Sequence, residues 1–379
     1  MAIRKTEKGY YVEVFLGNDP LTDKKIRKTK TFKKLKDAKD WEVNIIKDYK
    51  DGNLNLKGNM TVSEFLDYWL ENVIEDKKAY TTIKRYKIQV DCIKSHMGHL
   101  RLDKLKTPLV DRFYNDLAKE MRTYKNGTTK RRYSNGTIIK VHRLFKQAID
   151  KAVGWDIIAK NVVYYAEVPK DDERNIETWS IKEINQFLEE VKETKMYLPI
   201  QIAYHTGLRQ GEISALRWQD IDLEKGYLTV NHNMIEKKGI GLVLESPKTE
   251  ASKAIVTLTE GLIKILEKEL IRQKKHKLKT GITLEYVCSW EDGRAMRPIY
   301  LSKTFTKYVD KSELKKITFH GLRHSHATIL YSAGANSQEI SKRLRHSRVS
   351  TTDDIYIHVT EEIKKSTALI FDKAIDQGK

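Results

Sequence analysis

The sequence is poor in cysteine and proline and has no long apolar run. Its two cysteines, Cys92 and Cys288, lie far apart, which excludes a disulfide framework and a cysteine-rich zinc module. Six prolines and a hydrophobic content of 40% exclude a low-complexity chain and allow packed cores. No stretch approaches the roughly 20 apolar residues of a membrane span, and the start, MAIRKTEKGYY, has no apolar signal core. We therefore expect a soluble, cytoplasmic protein with reduced thiols.

Acidic residues are also in short supply. The 71 Lys and Arg residues oppose 52 Asp and Glu residues, a formal charge of +19. The excess lies mainly in the first half, with +6 in residues 1–58 and +9 in residues 59–170. A basic surface of this extent is typical of proteins that neutralise nucleic-acid phosphates. The alternative is solvated charge from a Lys-rich proteome, whereas no basic amphipathic helix favours a membrane surface.

The first 60 residues predict a small β-β-α unit. YYVEVFLG (10–17) and KIRKTKTF (25–32) alternate in polarity as strands do, and an amphipathic helical pattern starts near Leu35. The Gly/Asn-rich stretch 51–59 predicts a linker. Strands so rich in Lys and Arg could enter a DNA groove. An ordinary solvent-exposed sheet face would give the same sequence pattern, so both interpretations stay open.

The rest of the chain predicts two larger, mainly helical regions. A capping box at Thr61–Glu64 opens an all-helical region with patterns near 80–97, 107–121 and 136–153. The charged stretch VPKDDERNIETW (168–179) predicts a linker. A second capping box, Ser180–Glu183, begins a mostly helical domain with one small antiparallel sheet, predicted from residues 226–235, 241–246 and 253–258. The fold class is thus multidomain and mainly α.

Two stretches of this last domain place a cation where it could meet a phosphate. In HTGLRQGEISALRW, Gly207 eases a turn and Arg209 follows, with Glu212 one helical turn later to orient it. In ESPKTEASKAIVTL, the strand pattern breaks at Pro247, which puts Lys248 on a hairpin loop, from which it could donate a proton. Alone, each also fits an ordinary surface ion pair or a solvated lysine.

Two further stretches supply proton-transfer groups and a nucleophile. TFHGLRHSHATILY places His320 and Arg323 three residues apart, on one helical face. RLRHSRVSTTDDIYIHV supplies His346 and, ten residues later, Tyr356. A tyrosine hydroxyl has a pKa of about 10, so it needs a base before it can attack.

The histidines of the first of these stretches also allow a metal hypothesis. His320 and His324 have the i, i+4 spacing of two ligands that share one zinc ion. However, Gly321 follows His320 where HExxH sites have a glutamate, and no third ligand is evident. We therefore expect His324 and His326 to be packed or hydrogen-bonded helix residues.

Taken together, these motifs resemble those of the tyrosine recombinase, or phage integrase, family. The forms TGLRQGE, PKTEASKAIV, HGLRHSHAT and HS…STTDDIY occur in the family's order over about 200 residues. The resemblance extends more loosely to the whole chain, and it implies an arm-type DNA-binding domain at 1–55, a helical core-binding domain at 60–167 and a catalytic domain at 175–379. The resemblance also implies that the protein integrates and excises a mobile element or prophage.

The resemblance also implies a role for each matching residue. Tyr356 would attack a DNA phosphodiester and form a 3′-phosphotyrosyl link, while Arg209 and Arg323 hold the non-bridging oxygens. Lys248 would protonate the departing 5′ oxygen. His320 would assist proton transfer with the tyrosine, and His346 would hydrogen-bond the phosphate.

The resemblance further implies partners and excludes cofactors. The partner would be double-stranded DNA at core and arm attachment sites, on which four copies of the chain would form a homotetramer. The tail of each protomer, 361–379, would dock on a neighbouring protomer or fold back on its own domain. A host bending protein and an excision factor would be further partners. No ATP or metal would be required, in keeping with the lack of a Walker-type glycine loop. A catalytically dead DNA-binding relative and a type IB topoisomerase are the rival functions.

One departure from the family pattern concerns the residue before His346. The family usually has glycine there, whereas this chain has Arg345. If the position requires a positive φ, the arginine is strained. If the backbone is ordinary, Arg345 adds a phosphate contact.

Overall fold

The computed structural model describes residues 2–18, 25–50, 60–172, 176–245 and 255–345. The chain divides into two compact units, Met1–Glu173 and Arg174–Lys379. Helices predominate and are accompanied by small antiparallel sheets, so the predicted multidomain, mainly α fold class is confirmed. The finer division at 1–55, 60–167 and 175–379 stays a prediction.

The first unit begins with a three-stranded antiparallel sheet, in the order β1-β2-β3, followed by a helix: β1 Ala2–Thr6, β2 Gly9–Asn18, β3 Lys25–Phe32 and α1 Leu35–Lys50. Val12, Val14 and Leu16 lie on one buried face of β2 and pack with Ala38 and Ile45 of α1. The predicted β-β-α unit thus has one strand more, β1. Its residues, AIRKT, include a single large apolar side chain, too few to give an alternating pattern.

The remainder of this unit is built on four helices: α2 Val62–Trp69, α3 Tyr80–Met97, α4 Thr107–Lys119 and α5 Asn135–Gly154. The predicted capping box is confirmed, because the Thr61 side chain accepts from the Glu64 amide at 3.1 Å and the Thr61 amide donates to the Glu64 carboxylate at 2.9 Å. Phe65, Trp69 and Phe145 are buried in one core. Amphipathic periodicity therefore located these helices well.

A short hairpin, β4 Met121–Thr123 and β5 Thr129–Arg131, stands between α4 and α5. All six strand residues are exposed, and the hydroxyls of Thr123 and Thr129 form a cross-strand hydrogen bond of 2.9 Å. Gly127 provides a positive φ of 79° in the turn. The region predicted as all-helical thus carries one hairpin that an apolar pattern could not reveal, because neither of its faces is buried.

The described part of the second unit contains seven α-helices: α6 Ile181–Glu190, α7 Tyr197–Thr206, α8 Gln210–Ala215, α9 Glu260–Thr280, α10 Pro298–Val309, α11 Gly321–Ser332 and α12 Ser337–Leu344. The Ser180 box was predicted and is confirmed. Trp179, which the sequence placed at the end of a linker, is instead buried against Phe187 and Phe305. Its amide donates to the Ser325 hydroxyl at 2.8 Å, which fixes the start of the unit to α11.

The strands of the second unit form two sheets where one was predicted. β7 Tyr227–Thr229 lies between β6 Ile221–Asp222 and β10 Ile255–Thr257, whereas β8 Asn233–Lys237 pairs only with β9 Gly241–Glu245 among the described strands. The predicted hairpin of 241–246 with 253–258 is therefore wrong for the described strands, since β9 and β10 belong to different sheets. Polarity patterns locate strands but do not identify their partners.

Candidate active site

Arg209 is positioned by a helix end that requires glycine. Gly207 caps α7 in the left-handed region, with φ 65°. A Cβ at Gly207 would overlap the Leu344 side chain of α12, so any other residue would have to displace that side chain as well as strain the backbone. The chain then leaves α7 and enters α8 with Arg209 as its N-cap residue, in extended conformation.

Glu212 holds Arg209 by two hydrogen bonds. The Arg209 amide donates to one carboxylate oxygen at 2.8 Å, and the Arg209 Nη1 donates to the other at 3.0 Å. The predicted contact is therefore present. Burial opposes ionisation of Glu212, but Arg345 and Arg209 outweigh it and lower the pKa of the carboxyl below its ordinary value. Glu212 is thus a carboxylate at neutral pH.

Arg323 is almost completely buried, with 2% of its surface exposed. It donates from Nη1 to the Gly207 carbonyl at 2.5 Å and from Nη2 to the Leu344 carbonyl, so it ties α11 to the ends of α7 and α12. Burial first, and then Arg209, lower the pKa of this guanidinium to about 9. The group is still charged at neutral pH, and an anion beside it would be strongly stabilised.

His320 stands at the N-cap position of α11, next to these arginines. Its ring packs edge-on against His324, with 4.8 Å between centroids. Partial burial first, and then His324, Arg323 and Arg209, lower the pKa of His320 below its ordinary value. A neutral imidazole at this place can accept a proton at physiological pH.

His326 is a structural residue, as predicted. Its Nδ1 lies 2.7 Å from the Tyr204 carbonyl, and the Arg343 Nε donates to its Nε2 at 3.0 Å. The two contacts together require the neutral tautomer with the proton on Nδ1. The described residues contain no group of three His, Cys, Asp or Glu side chains that could hold a metal ion.

Arg345 adopts the strained conformation that its replacement of glycine suggested. It caps α12 in the left-handed region, with φ 57° and ψ 47°. Its Nη2 donates to Glu212 at 2.6 Å, so this carboxylate lies between Arg209 and Arg345. The sequence identified Arg345 only as an irregularity, because nothing in a linear pattern links α12 to α8.

The site therefore gathers Arg209, His320 and Arg323 of the predicted set, together with Glu212 and Arg345. Lys248, His346 and Tyr356 lie outside the described residues, and their places in the site stay predictions. Three guanidinium groups against one carboxylate leave an excess of two positive charges. Fixed donors of this kind stabilise negative charge that develops on phosphoryl oxygens, beside a neutral imidazole that can exchange a proton.

Two family models match the chain. The Phage integrase family model matches residues 174–362, and the Phage integrase N-terminal SAM-like domain model matches residues 61–118. The first match covers the second unit as far as residue 362 and includes the arginine cluster. The second match spans α2, α3 and most of α4, and it ends just before the exposed hairpin.

Similar proteins are recombinases and integrases. A tyrosine recombinase XerC-like protein of Caldanaerobacter subterraneus subsp. tengcongensis is 29% identical over 384 residues, which cover 95% of each chain. The ICEBs1 integrase of Bacillus subtilis is 24% identical over 375 residues, covering 97% of this chain and 98% of the relative. These alignments run through both units.

Solved structures share the fold. The Tn1549 transposon integrase in complex with transposon right end DNA superposes with a TM-score of 0.69 at 22% identity, covering 81% of this chain and 98% of that one. A lambda integrase dimer bound to a core site superposes with a TM-score of 0.58 at 16% identity, covering 93% of both chains. No described helix is long and apolar enough to cross a membrane. The chain belongs to the tyrosine recombinase (phage integrase) family, whose members cut and rejoin DNA.

Proposed function

We propose that this chain is the site-specific integrase of a mobile element or prophage, and that it cuts DNA through a 3′-phosphotyrosyl intermediate on Tyr356. The main support is the arginine cluster around Glu212, in which Arg323 is buried between the ends of α7 and α12 and Arg209 lies close enough to lower its pKa. A surface that binds only the DNA backbone does not need a fully buried guanidinium. A site that stabilises a phosphoryl transition state does.

In the proposed reaction, the Tyr356 oxygen attacks the phosphorus and the bond from phosphorus to the 5′ oxygen breaks. Arg209 and Arg323 donate to the non-bridging oxygens, with His346 as a further donor. The tyrosine proton passes to neutral His320, and Lys248 gives a proton to the departing 5′ oxygen. Because the phosphotyrosyl bond retains the energy of the original phosphodiester, rejoining by a 5′ hydroxyl needs no ATP and no metal.

DNA would also be held outside the catalytic unit. The helix-free face of the N-terminal sheet presents Arg4, Tyr11 and Arg27, as expected for an arm-type DNA-binding domain. The helical region at 60–167 would bind the core site, since residues 59–170 carry a net charge of +9. The lambda integrase dimer bound to a core site supports such a role for this fold.

Recombination between two duplexes uses four cleavage events, so we propose a homotetramer on DNA. The tail 361–379 would dock on a neighbouring protomer. A host bending protein and an excision factor would assist on attachment-site DNA. Each protomer has a net charge of +19, so four protomers would repel one another in free solution. The DNA phosphates would neutralise this charge and thereby favour assembly of the tetramer.

The test compares the wild-type chain with Tyr356→Phe on a nicked suicide substrate, from which cleavage releases a short fragment that begins with a 5′ hydroxyl. The wild-type chain is expected to give a protein–DNA adduct that survives denaturing electrophoresis. The variant is expected to give none while its DNA affinity stays within about twofold, because only the attacking oxygen is lost. An adduct formed by the variant would assign the nucleophile elsewhere.

A further inference from the structure

Arg345 has an energetically unfavourable backbone. It is one of two non-glycine residues with positive φ among the described parts of the chain, the other being Asp156. A left-handed conformation of this kind costs a non-glycine residue on the order of 1 kcal/mol, and it persists where the surroundings over-determine it. A glycine would avoid the cost, so the arginine side chain must supply something in return.

The side chain of Arg345 is enclosed, and part of it lacks a partner. Only 2% of it is exposed, and its Nη2 donates to Glu212 at 2.6 Å. Its Nη1 is buried and has no hydrogen-bond partner in the part of the chain that the structure describes. A buried N–H of a cationic group without an acceptor costs several kcal/mol, so an anion placed beside Nη1 would be stabilised.

The charge balance of the cluster points to the same anion. Arg209 and Arg323 with Glu212 alone would give a net charge of +1. Arg345 raises this to +2, which matches the two negative charges that a phosphodiester acquires when a tyrosinate adds to it. Burial lowers the pKa of Arg345 below its ordinary value, Glu212 opposes this effect and Arg209 adds to it, so an anion beside the cluster would stabilise the charged guanidinium.

We propose that Arg345 is a third phosphate-binding guanidinium of this enzyme, which holds Glu212 with Nη2 and donates Nη1–H to a non-bridging oxygen of the scissile phosphate as charge builds up there. The proposal rests on the proposed function, because it needs a phosphoryl transition state at this site. It assigns a catalytic role to a residue at a position where the family pattern has glycine. The alternative is a positioning role, in which Arg345 acts only by orienting Glu212 and hence Arg209.

The experiment measures single-turnover cleavage of two suicide substrates, one with an ordinary scissile phosphate and one with a neutral methylphosphonate in its place. The enzymes are the full-length wild-type chain, Arg345→Gly and Arg345→Lys. On the phosphate, Arg345→Gly is expected to lose about 100-fold in cleavage rate, as is common when one oxyanion donor is removed. Arg345→Lys keeps the charge but not the two-pronged donor, so it is expected to lose less, about tenfold.

On the methylphosphonate, the variants are expected to fall within threefold of the wild-type chain, because the transition state there carries one negative charge fewer. Equal losses on both substrates would overturn the proposal in favour of positioning. A wild-type rate for Arg345→Gly on the phosphate would overturn it altogether. Arg345→Gly is expected to fold, since glycine relieves the left-handed strain. The cleavage rate of Arg345→Lys provides a second, independent measurement of the role of the side chain.

The control is Arg294→Ala, because Arg294 is an arginine with 80% of its side chain exposed. It is expected to match the wild-type rate on both substrates. If the wild-type chain forms the Tyr356 adduct and Arg345→Gly forms it equally fast, only the role of Arg345 is lost.

Discussion

At the scale of single residues, Glu212 is the central group of the site. Only 10% of its side chain is exposed, and its carboxylate forms ion pairs with Arg209 on one side and with Arg345 on the other. Removal of one partner of a buried ion pair costs more than the pair contributes, because the remaining charge stays buried and unpaired. The exposed guanidinium of Arg209 can turn to water, whereas that of Arg345 cannot.

Glu212→Gln is therefore expected to destabilise the catalytic unit by about 3 kcal/mol, mainly through the unpaired charge of Arg345. Calorimetry of the full-length chain would detect a lower transition temperature. The matched control, Glu267→Gln on the exposed side of α9, is expected to change stability by less than about 0.5 kcal/mol. Arg345→Gly in the Glu212→Gln background should recover part of the loss, and no loss in the single variant would contradict the account.

His326 makes the stability of the same unit depend on pH. Burial first, and then Arg343, lower the pKa of His326 to about 4, with smaller contributions from Arg323 and His205. The unfolded chain takes up a proton at its ordinary value near 6.5, and the folded chain does not. Between pH 6.5 and about 4 the unfolded state thus binds more protons, so stability falls as the solution is acidified.

Acidification from pH 6.5 to 5 is expected to remove on the order of 2 kcal/mol through His326. His326→Gln can accept from Arg343 and donate to the Tyr204 carbonyl without titrating, so the dependence of the unfolding free energy on pH should become shallower by about one proton. Urea unfolding at several pH values measures this slope. An unchanged slope in the variant would show that another group governs the pH dependence.

At the scale of elements, the exposed hairpin β4–β5 is well suited to contact DNA. It projects Lys125 and Lys130 from the helical region, with Arg122 over the ring of Tyr124 at 5.4 Å. Its strands contribute nothing to the core, since all six of their residues are exposed. Exposed cations on a two-stranded ribbon can follow a groove or a phosphate backbone.

The double variant Lys125→Ala, Lys130→Ala is expected to weaken DNA binding and to make it less sensitive to salt. Each lost phosphate contact lowers the slope of log affinity against log salt by about 0.9, so two lost contacts lower it by about 2. Titrations at several salt concentrations measure the slope. Lys125→Arg, Lys130→Arg retains the charges and should retain the slope, and an equal slope for the alanine variant would exclude the hairpin from the interface.

Local signals predicted the helices better than the strands. The bounds predicted for α3 agree with the structure, and the capping boxes at Thr61 and Ser180 are confirmed, because both depend on residues within one turn. β1 and the β4–β5 hairpin were missed, since one lacks apolar alternation and the other has no buried face. The partner of β9 was assigned wrongly, because pairing is a property of the folded chain.

At the scale of the whole molecule, the site combines segments that are far apart in sequence. Arg209 and Glu212 come from α8, Arg323 from α11 and Arg345 from the end of α12. The order of short motifs predicted Arg209, His320 and Arg323 as members of one site. It could not predict the contact of Arg345 with Glu212, because that contact exists only once α12 has packed on α11 in the folded chain.

The nucleophile is identified most directly by trapping the protein on a suicide attachment-site substrate, digesting the adduct and finding the residue that carries DNA. We expect a single DNA-linked peptide modified at Tyr356 through a 3′ phosphate, together with a free 5′ hydroxyl on the released strand. A link to another residue, a 5′ phosphate on the released strand, or efficient cleavage without any covalent adduct would contradict this expectation.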